Sequence, residues 1–238
     1  MKKTKTQLKL LDNNSFHKSM NEKAKSLDVE DHKNLVIKSG HTFAELPIWF
    51  QNAKTQDAVI FMSRATLFAS NGFQIEWKRG IWENGIWENG IWHSGTWENG
   101  LWENGLWENG TWENGIWSNG TWSNGLWLNG TWLNGEWLDG TWNKGVWRDG
   151  TWEKGLWKDG LWGKGVWYEG EWLKGFWTIG TWFKGTWKDG VWRHGFWLNG
   201  NWFGGRWCDG CWKRGDWIAG IWENGEWHDE KSPHPNER

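Results

Sequence analysis

The chain has 238 residues, a formal net charge of −2 at pH 7 and an isoelectric point of about 6.4. This near-neutral balance gives no reason to expect nucleic acid as a partner. No stretch approaches the roughly 18 consecutive apolar residues that cross a membrane, and the basic residues 1–10 lack the apolar region of a signal peptide. The sequence therefore predicts a cytoplasmic or virion-associated protein that does not bind membranes.

The first third of the chain divides into two segments. Residues 1–33 are rich in Lys, Asn and Asp and are predicted to form a flexible polar arm. Residues 34–76 contain short apolar, β-prone runs at 35–37, 58–62 and 65–69, and a turn at 70–72 leads into the repeat. We expect this second segment to be a non-repeating cap, because a stacked array without a cap exposes an unpaired strand edge.

A pentad repeat fills residues 77–229. From Trp77 to Trp227 a Trp recurs at every fifth position, which accounts for 31 of the 32 Trp, and the unit is x-Trp-x-x-Gly. A period of five does not follow a helix, and its glycines would each destabilise a helix by about 1 kcal/mol relative to Ala. We take these residues as representative of the structural repeat: Trp82, Trp102, Trp122, Trp142, Trp152, Trp162, Gly85, Gly145 and Gly155.

The pentads are predicted to fold as short antiparallel hairpins in an all-β tandem array. Asn-Gly pairs such as 84–85 are a strong signal for a type I′ turn, and the middle residue of a three-residue strand points away from its neighbours, so every Trp falls on one face. Before glycine, Asp139, Asp149 and Asp159 alternate with Lys residues such as Lys144 and Lys154. This alternation indicates a ten-residue unit, with Lys-Gly in type II turns.

A ribbon of 31 such strands would expose a continuous stripe of Trp, far larger than the apolar patches that monomers show. We expect the sheet to coil or close with Trp inside. Cover by a second ribbon and use of the stripe as a binding surface are the alternatives. The rival fold is a quadrilateral β-solenoid, in which Trp142 stacks on Trp162, although four inward indoles per coil would crowd its core.

Family resemblances accompany this pattern. The segment 150–155, Gly-Thr-Trp-Glu-Lys-Gly, resembles half of a MORN repeat, a β-hairpin module used in membrane association, protein binding and scaffolding. The five-residue pattern lacks the Tyr and the further glycines of that family, so the lipid role is not carried over. In period the chain is similar to pentapeptide-repeat proteins, and this resemblance implies the quadrilateral solenoid.

The sequence offers no constellation for catalysis, cofactor binding or metal binding. Cys208 and Cys211 form a C-x-x-C pair without a second ligand pair, and a cross-strand disulfide is the alternative to two free thiols. The seven His are scattered without a metal-binding spacing. We therefore expect a protein that is not an enzyme and carries no cofactor or metal.

The sequence predicts a structural or protein-interaction repeat scaffold. The x-Trp-x-x-Gly array also resembles the Trp/Gly pentad arrays of bacterial and phage proteins, and this resemblance implies a phage or bacterial scaffold. A protein partner or self-association is expected. The alternative is a carbohydrate- or surface-binding protein that uses the Trp ladder to stack on a glycan. Residues 230–238, with Pro233 and Pro235, are expected to form a disordered tail.

Overall fold

The computed structural model describes residues 32–64 and 73–237, and within them the chain is almost entirely β. Nearly all of the predicted arm, the apolar run at 65–69 and the turn at 70–72 lie outside the described residues. The repeat winds into a parallel β-solenoid whose interior is filled by Trp.

The segment before the repeat forms a small mixed unit. It contains β1 (His32–Lys33), β2 (Val36–Ile37), a 3-10 helix (Phe43–Glu45), α1 (Ile48–Gln51), β3 (Lys54–Arg64) and β4 (Phe73–Asn84). Strands β1 and β2 pair parallel with β3, and β3 pairs antiparallel with β4. Strand β4 continues into the solenoid, where its Trp77 and Trp82 pair with Trp92 and Trp97.

All further strands are short and belong to the repeat. They are β5 (Ile86–Trp87), β6 (Gly90–Trp92), β7 (Thr96–Trp97), β8 (Leu101–Trp102), β9 (Leu106–Trp107), β10 (Thr111–Trp112), β11 (Ile116–Trp117), β12 (Thr121–Trp122), β13 (Leu126–Trp127), β14 (Thr131–Trp132), β15 (Glu136–Trp137), β16 (Thr141–Trp142), β17 (Val146–Trp147), β18 (Thr151–Trp152), β19 (Leu156–Trp157), β20 (Leu161–Trp162), β21 (Val166–Trp167), β22 (Glu171–Trp172), β23 (Phe176–Trp177), β24 (Thr181–Trp182), β25 (Thr186–Trp187), β26 (Val191–Trp192), β27 (Phe196–Trp197), β28 (Asn201–Trp202), β29 (Arg206–Trp207), β30 (Cys211–Trp212), β31 (Asp216–Trp217), β32 (Ile221–Trp222) and β33 (Glu226–Trp227). A second 3-10 helix, Pro235–Glu237, follows them.

One coil of the solenoid contains three pentads. Each strand pairs parallel with the strand three places later, so that Trp112 is in register with Trp127 and Trp142 with Trp157. Every third strand therefore lies on the same face. We call the series β6 to β33 face A, the series β7 to β31 face B and the series β5 to β32 face C. Face C is a separate sheet of ten strands.

The predicted β-solenoid, given as the alternative fold, is confirmed, and Trp lies inside it as expected. Its coil has three sides rather than four, because register partners are fifteen residues apart instead of twenty. The first choice, antiparallel hairpins with a ten-residue unit, is wrong. The chain bends at each glycine and continues in the same winding direction, and the Thr111 N–H donates to the Gly95 carbonyl of the preceding coil at 2.9 Å.

The Asn and Asp residues that suggest type I′ turns have another role. Among the described residues, only Asn34 and Asp57 have positive φ outside glycine, so the residue before each repeat glycine is not in a type I′ turn. Several of these residues instead accept the N–H of the glycine that follows, as Asn109 Oδ1 does from Gly110 at 2.8 Å. The Asx preference therefore reflects satisfaction of a corner N–H group.

Glycine is required at the corner for two reasons, which Gly155 illustrates. Its φ is +128°, a conformation that side chains disfavour. A Cβ at this position would also lie 2.5 Å from the Gly140 carbonyl oxygen of the preceding coil. The close approach of successive corners thus excludes any side chain.

The core consists of three continuous columns of stacked indoles. Along one column Trp152 lies between Trp137 and Trp167, with ring centroids 4.8 Å away on both sides and planes within 5° of parallel. Between columns the rings meet edge to face, as Trp152 meets Trp157 at 6.0 Å and 72°. Both geometries are favourable for aromatic pairs. Three rings per coil therefore fill a triangular interior.

Both ends of the Trp core are covered. At the first coil, α1 places Trp49 edge to face on Trp87 and buries Phe50 against Trp82, with centroid distances of 5.2 and 5.7 Å. At the last coil, His234 packs on Trp222 at 5.2 Å between ring centroids. Asp229 Oδ2 accepts the Gly215 N–H at 3.0 Å and so holds the chain that follows the repeat against it.

Candidate functional site

The representative repeat residues build the core and the corners rather than a contact surface. All six chosen Trp, namely Trp82, Trp102, Trp122, Trp142, Trp152 and Trp162, have no exposed area. Gly85, Gly145 and Gly155 lie at corners with positive φ. The outward-facing positions are therefore the residues on either side of each Trp and the residue before each Gly.

The indole N–H groups also face the interior. Within the described part of the chain, 27 Trp Nε1 atoms are buried without a hydrogen-bond acceptor. The edge-to-face contacts between columns offer aromatic faces to nearby ring edges, and an N–H group aimed at a ring makes a weak favourable contact. Neither the faces nor the polar atoms of these indoles are available to a ligand.

The residues before glycine form ladders along the three corners. In the first half the ladders contain Asn, and Asn129 Nδ2 donates to Asn114 Oδ1 at 3.4 Å. In the second half, opposite charges pair between successive coils. These ion pairs are Lys154–Asp139 at 3.2 Å, Lys164–Asp149 at 2.9 Å, Lys174–Asp159 at 3.3 Å and Lys184–Glu169 at 2.7 Å. Because the charged groups are exposed, each pair contributes at most about 1 kcal/mol.

A ladder of carboxyl groups lies on face B near its start. Glu83 follows Trp82 of β4, Glu98 follows β7 and Glu113 follows β10. These strands pair in register. Burial raises the pKa of the Glu98 carboxyl, and the neighbouring Glu113 and Glu83 carboxylates raise it further. This part of the surface is therefore acidic, with a central group that ionises less readily than a free Glu.

The second half of the solenoid exposes a set of aromatic side chains. Within 77–227 the aromatic residues other than Trp are Tyr168, Phe176, Phe183, Phe196 and Phe203, which we call the aromatic band. Each is exposed, with Phe176 and Phe196 the most open at 55%. On face A the Tyr168 and Phe183 rings stack with centroids 4.8 Å apart, and on face B Lys188 Nζ lies 3.9 Å from the Phe203 ring centre.

The aromatic band was missed in the interpretation of the sequence, although its residues are visible there. The composition signal is the confinement of Tyr and Phe to 168–203 of the repeat. Their arrangement cannot be predicted without the coil length, because a fifteen-residue coil is what brings Tyr168, Phe183 and Phe196 to one face. Leu161, also exposed, is the register partner of Phe176 on face C.

The two cysteines lie on different faces and are both free thiols. Cys208 follows β29 on face C, where burial raises the pKa of its thiol and the Glu223 carboxylate raises it further. Cys211 is in β30 on face A and is only 7% exposed. The disulfide alternative is therefore not the state found in the structure.

No helix in the described residues is long and apolar enough to cross a membrane. Comparison of the chain with known protein families, with curated proteins and with solved structures gives no match. The function must therefore be inferred from the geometry of this molecule.

Proposed function

We propose that the chain is a non-enzymatic structural scaffold that contacts another protein, or a second copy of itself, through the aromatic band. The observation that carries this proposal is the exposure of five aromatic rings on a rigid repeat whose Trp residues are all used internally or at its ends. Ten coils at about 4.8 Å each give a rod roughly 50 Å long.

The composition of the band favours a protein partner. Aromatic side chains supply large contact areas and are enriched at protein interfaces, where burial of a ring contributes most of the binding energy. Tyr168 and Phe183 stack on face A, and Phe196 lies in the next coil of the same face, in register with Thr181, so one partner surface can contact all three. Leu198, which follows Trp197 on the same face, adds an aliphatic side chain to this contact area.

Carbohydrate or surface binding by the Trp ladder is the second function considered from the sequence. The ladder supports this role poorly, because a ring without exposed area cannot stack on a sugar. Four of the five exposed rings are Phe, which lacks the hydroxyl or N–H that orients a ring toward sugar hydroxyls. We therefore place glycan binding second.

The test compares the wild-type chain with Phe183→Lys/Phe196→Lys. A matched control, Leu128→Lys/Leu133→Lys, places the same charges at outward positions away from the band. Sedimentation velocity measures self-association, and cross-linking in the native cells followed by quantitative mass spectrometry measures stoichiometric partners. The proposal predicts that self-association or a stoichiometric complex is lost in the band variant and retained in the control.

Retention of every complex by the band variant would contradict the proposal. So would glycan-array binding that the band variant lacks while its protein complexes persist. Circular dichroism of both variants establishes that each remains folded, since all four substitutions lie on the outer surface.

A further inference from the structure

Three side chains with metal-binding atoms come together near the end of face A. Cys211 and Glu226 are register partners in the parallel strands β30 and β33. His228 follows Glu226 by two residues, so both project from the same side of the chain. The Cys211 Sγ, one carboxylate oxygen of Glu226 and one ring nitrogen of His228 all lie within 4.8 Å of one another.

The backbone holds these side chains in place. The Glu226 N–H donates to the Gly210 carbonyl at 2.8 Å, and the His228 N–H donates to the Trp212 carbonyl at 2.9 Å. His228 Nε2 already lies 3.0 Å from Glu226 Oε2. Ligand atoms around a tetrahedral zinc ion are about 3.3–3.8 Å apart, as the zinc bond lengths of about 2.0–2.3 Å imply. Small rotamer changes would therefore bring all three atoms to one ion.

We propose that Cys211, Glu226 and His228 bind a divalent transition-metal ion of the zinc class. A thiolate, an imidazole and a carboxylate are the three ligand types that zinc takes in proteins, whereas calcium and magnesium prefer oxygen alone. Solvent completes the tetrahedron. The Cys211 thiol releases its proton to water on binding, because the thiolate is the ligand.

The ion would reach this site through a surface cleft of about 330 Å³. The cleft is lined by Cys211 and Glu226 and by His194, Phe196 and Asp209 of the two preceding coils. His194 and Asp209 face one another across it at 3.7 Å. The cleft is thus open enough to admit an ion while Cys211 stays largely buried.

The ion would fasten the last strand of the solenoid. Strand β33 pairs with β30 on one side, and its Trp227 is only partly buried, unlike the Trp of the inner coils. The ion would bind Cys211 on β30, Glu226 on β33 and His228 just after β33. It would therefore join the two strands. The ion would therefore stabilise the end of the solenoid. Phe196 of the aromatic band lies beside this site, in register with Cys211, but metal binding there requires no partner at the band.

Cobalt and zinc binding to the full chain test the proposal. Cobalt(II), added to chain freed of metal by a chelator, should give the charge-transfer absorption of a cobalt–thiolate bond and the intense visible bands of tetrahedral cobalt, at one equivalent. Zinc should displace it. Cys211→Ser should abolish the thiolate absorption, and His228→Ala should weaken zinc binding at least about tenfold in calorimetry.

Cys208→Ser is the matched control, because Cys208 belongs to the same C-x-x-C pair but lies on face C. This variant should bind both ions as the wild type does. Absence of the thiolate band in the wild type would overturn the proposal. Loss of the band in Cys208→Ser with retention in Cys211→Ser would also overturn it, and circular dichroism of each metal-free variant separates loss of binding from loss of fold.

Discussion

Lys164 lies one coil above Asp149, with Nζ 2.9 Å from Oδ2. The two residues are fifteen positions apart, whereas acidic and basic residues alternate along this part of the chain every five. Any coil with an odd number of pentads therefore places opposite charges next to each other along the corner. The alternation that suggested a ten-residue hairpin is a consequence of stacking in a three-pentad coil.

The Lys164–Asp149 pair is suited to a double-mutant cycle, because its neighbours along the corner, Asn134 and Ile179, are uncharged. Asp149→Asn retains an oxygen that can accept the Gly150 N–H, and Lys164→Met retains the aliphatic stem. We expect a favourable coupling of about 0.2–1 kcal/mol in urea unfolding at low salt, which falls in high salt. A coupling that is repulsive or indifferent to salt would contradict the stacked arrangement.

Gly155→Ala should destabilise the protein by about 2–4 kcal/mol, through strain at positive φ and the clash with the Gly140 carbonyl oxygen. Gly155→Val should lower the free energy of unfolding more than Gly155→Ala does. The loss should also exceed the local strain of about 1–3 kcal/mol that the positive-φ position alone predicts. Gly204→Ala is the control, since its Cβ would lie 3.3 Å from the nearest atom. We expect a change within about 1 kcal/mol there, and equal effects at the two glycines would refute the close-approach explanation.

Trp152→Ala should cost about 3–5 kcal/mol, because the ring is fully buried and contacts stacked and edge-to-face neighbours on all sides. The adjacent outward residue provides the comparison. Thr151→Val should change stability by under about 0.5 kcal/mol. Thermal or urea unfolding measures both, and a near-neutral Trp152→Ala would show that the ladder is not the core.

Because of Glu98, the free energy of unfolding should fall as the pH rises and the Glu98 carboxyl group ionises. Its pKa is raised in the folded state by burial and then by Glu113 and Glu83, so its protonated form is favoured by folding. The stability it contributes is present below the ordinary Glu pKa and is lost as pH rises toward neutral. Glu98→Gln should therefore be more stable than wild type at pH 7, by under about 1 kcal/mol, and lose this advantage near pH 4.

Glu76 provides a comparison of opposite sign. The Lys78 ammonium that donates to Glu76 holds the pKa of that carboxyl below its usual value, and His93 lowers it further. The stability from Glu76 is present above the ordinary Glu pKa and is lost as pH falls. Urea unfolding from pH 4 to 7 should therefore show Glu76→Gln less stable than wild type at pH 7, and the same pH trend in both variants would contradict the assignment.

The inward placement of Trp and the need for glycine could be predicted from the sequence, since both follow from strand alternation and the repeating pentad. The number of pentads in a coil was harder to predict, because the local propensity of Asn-Gly favours a hairpin as well as a solenoid corner. The charged residues before glycine distinguish the possible coil lengths. A twenty-residue coil would stack Asp139 on Asp159, whereas the fifteen-residue coil stacks Asp139 on Lys154.

The surface sites depend on the coil length and for that reason escaped prediction. In the sequence Cys211 forms a C-x-x-C pair with Cys208, whereas the coil brings Cys211 to Glu226 and His228. The boundaries of the proposed segments stay predictions. Residues 230–238 were expected on composition to form a disordered tail. His234 within them packs on Trp222, and Asp229 just before them accepts the Gly215 N–H, and both contacts depend on tertiary packing.

The most direct test of the three-sided solenoid is disulfide trapping between outward-facing positions. In a Cys208→Ser/Cys211→Ser background, Thr141→Cys is combined with Leu156→Cys, Val146→Cys or Leu161→Cys, at separations of fifteen, five and twenty residues. Thr141 and Leu156 are register partners, and the spacing of about 4.8 Å between paired strands falls within the range of about 4.4–6.8 Å that a disulfide spans. Mass spectrometry after mild oxidation should find the bond only in the Thr141/Leu156 pair. A bond in the five- or twenty-residue pair without one in the fifteen-residue pair would contradict the three-sided coil.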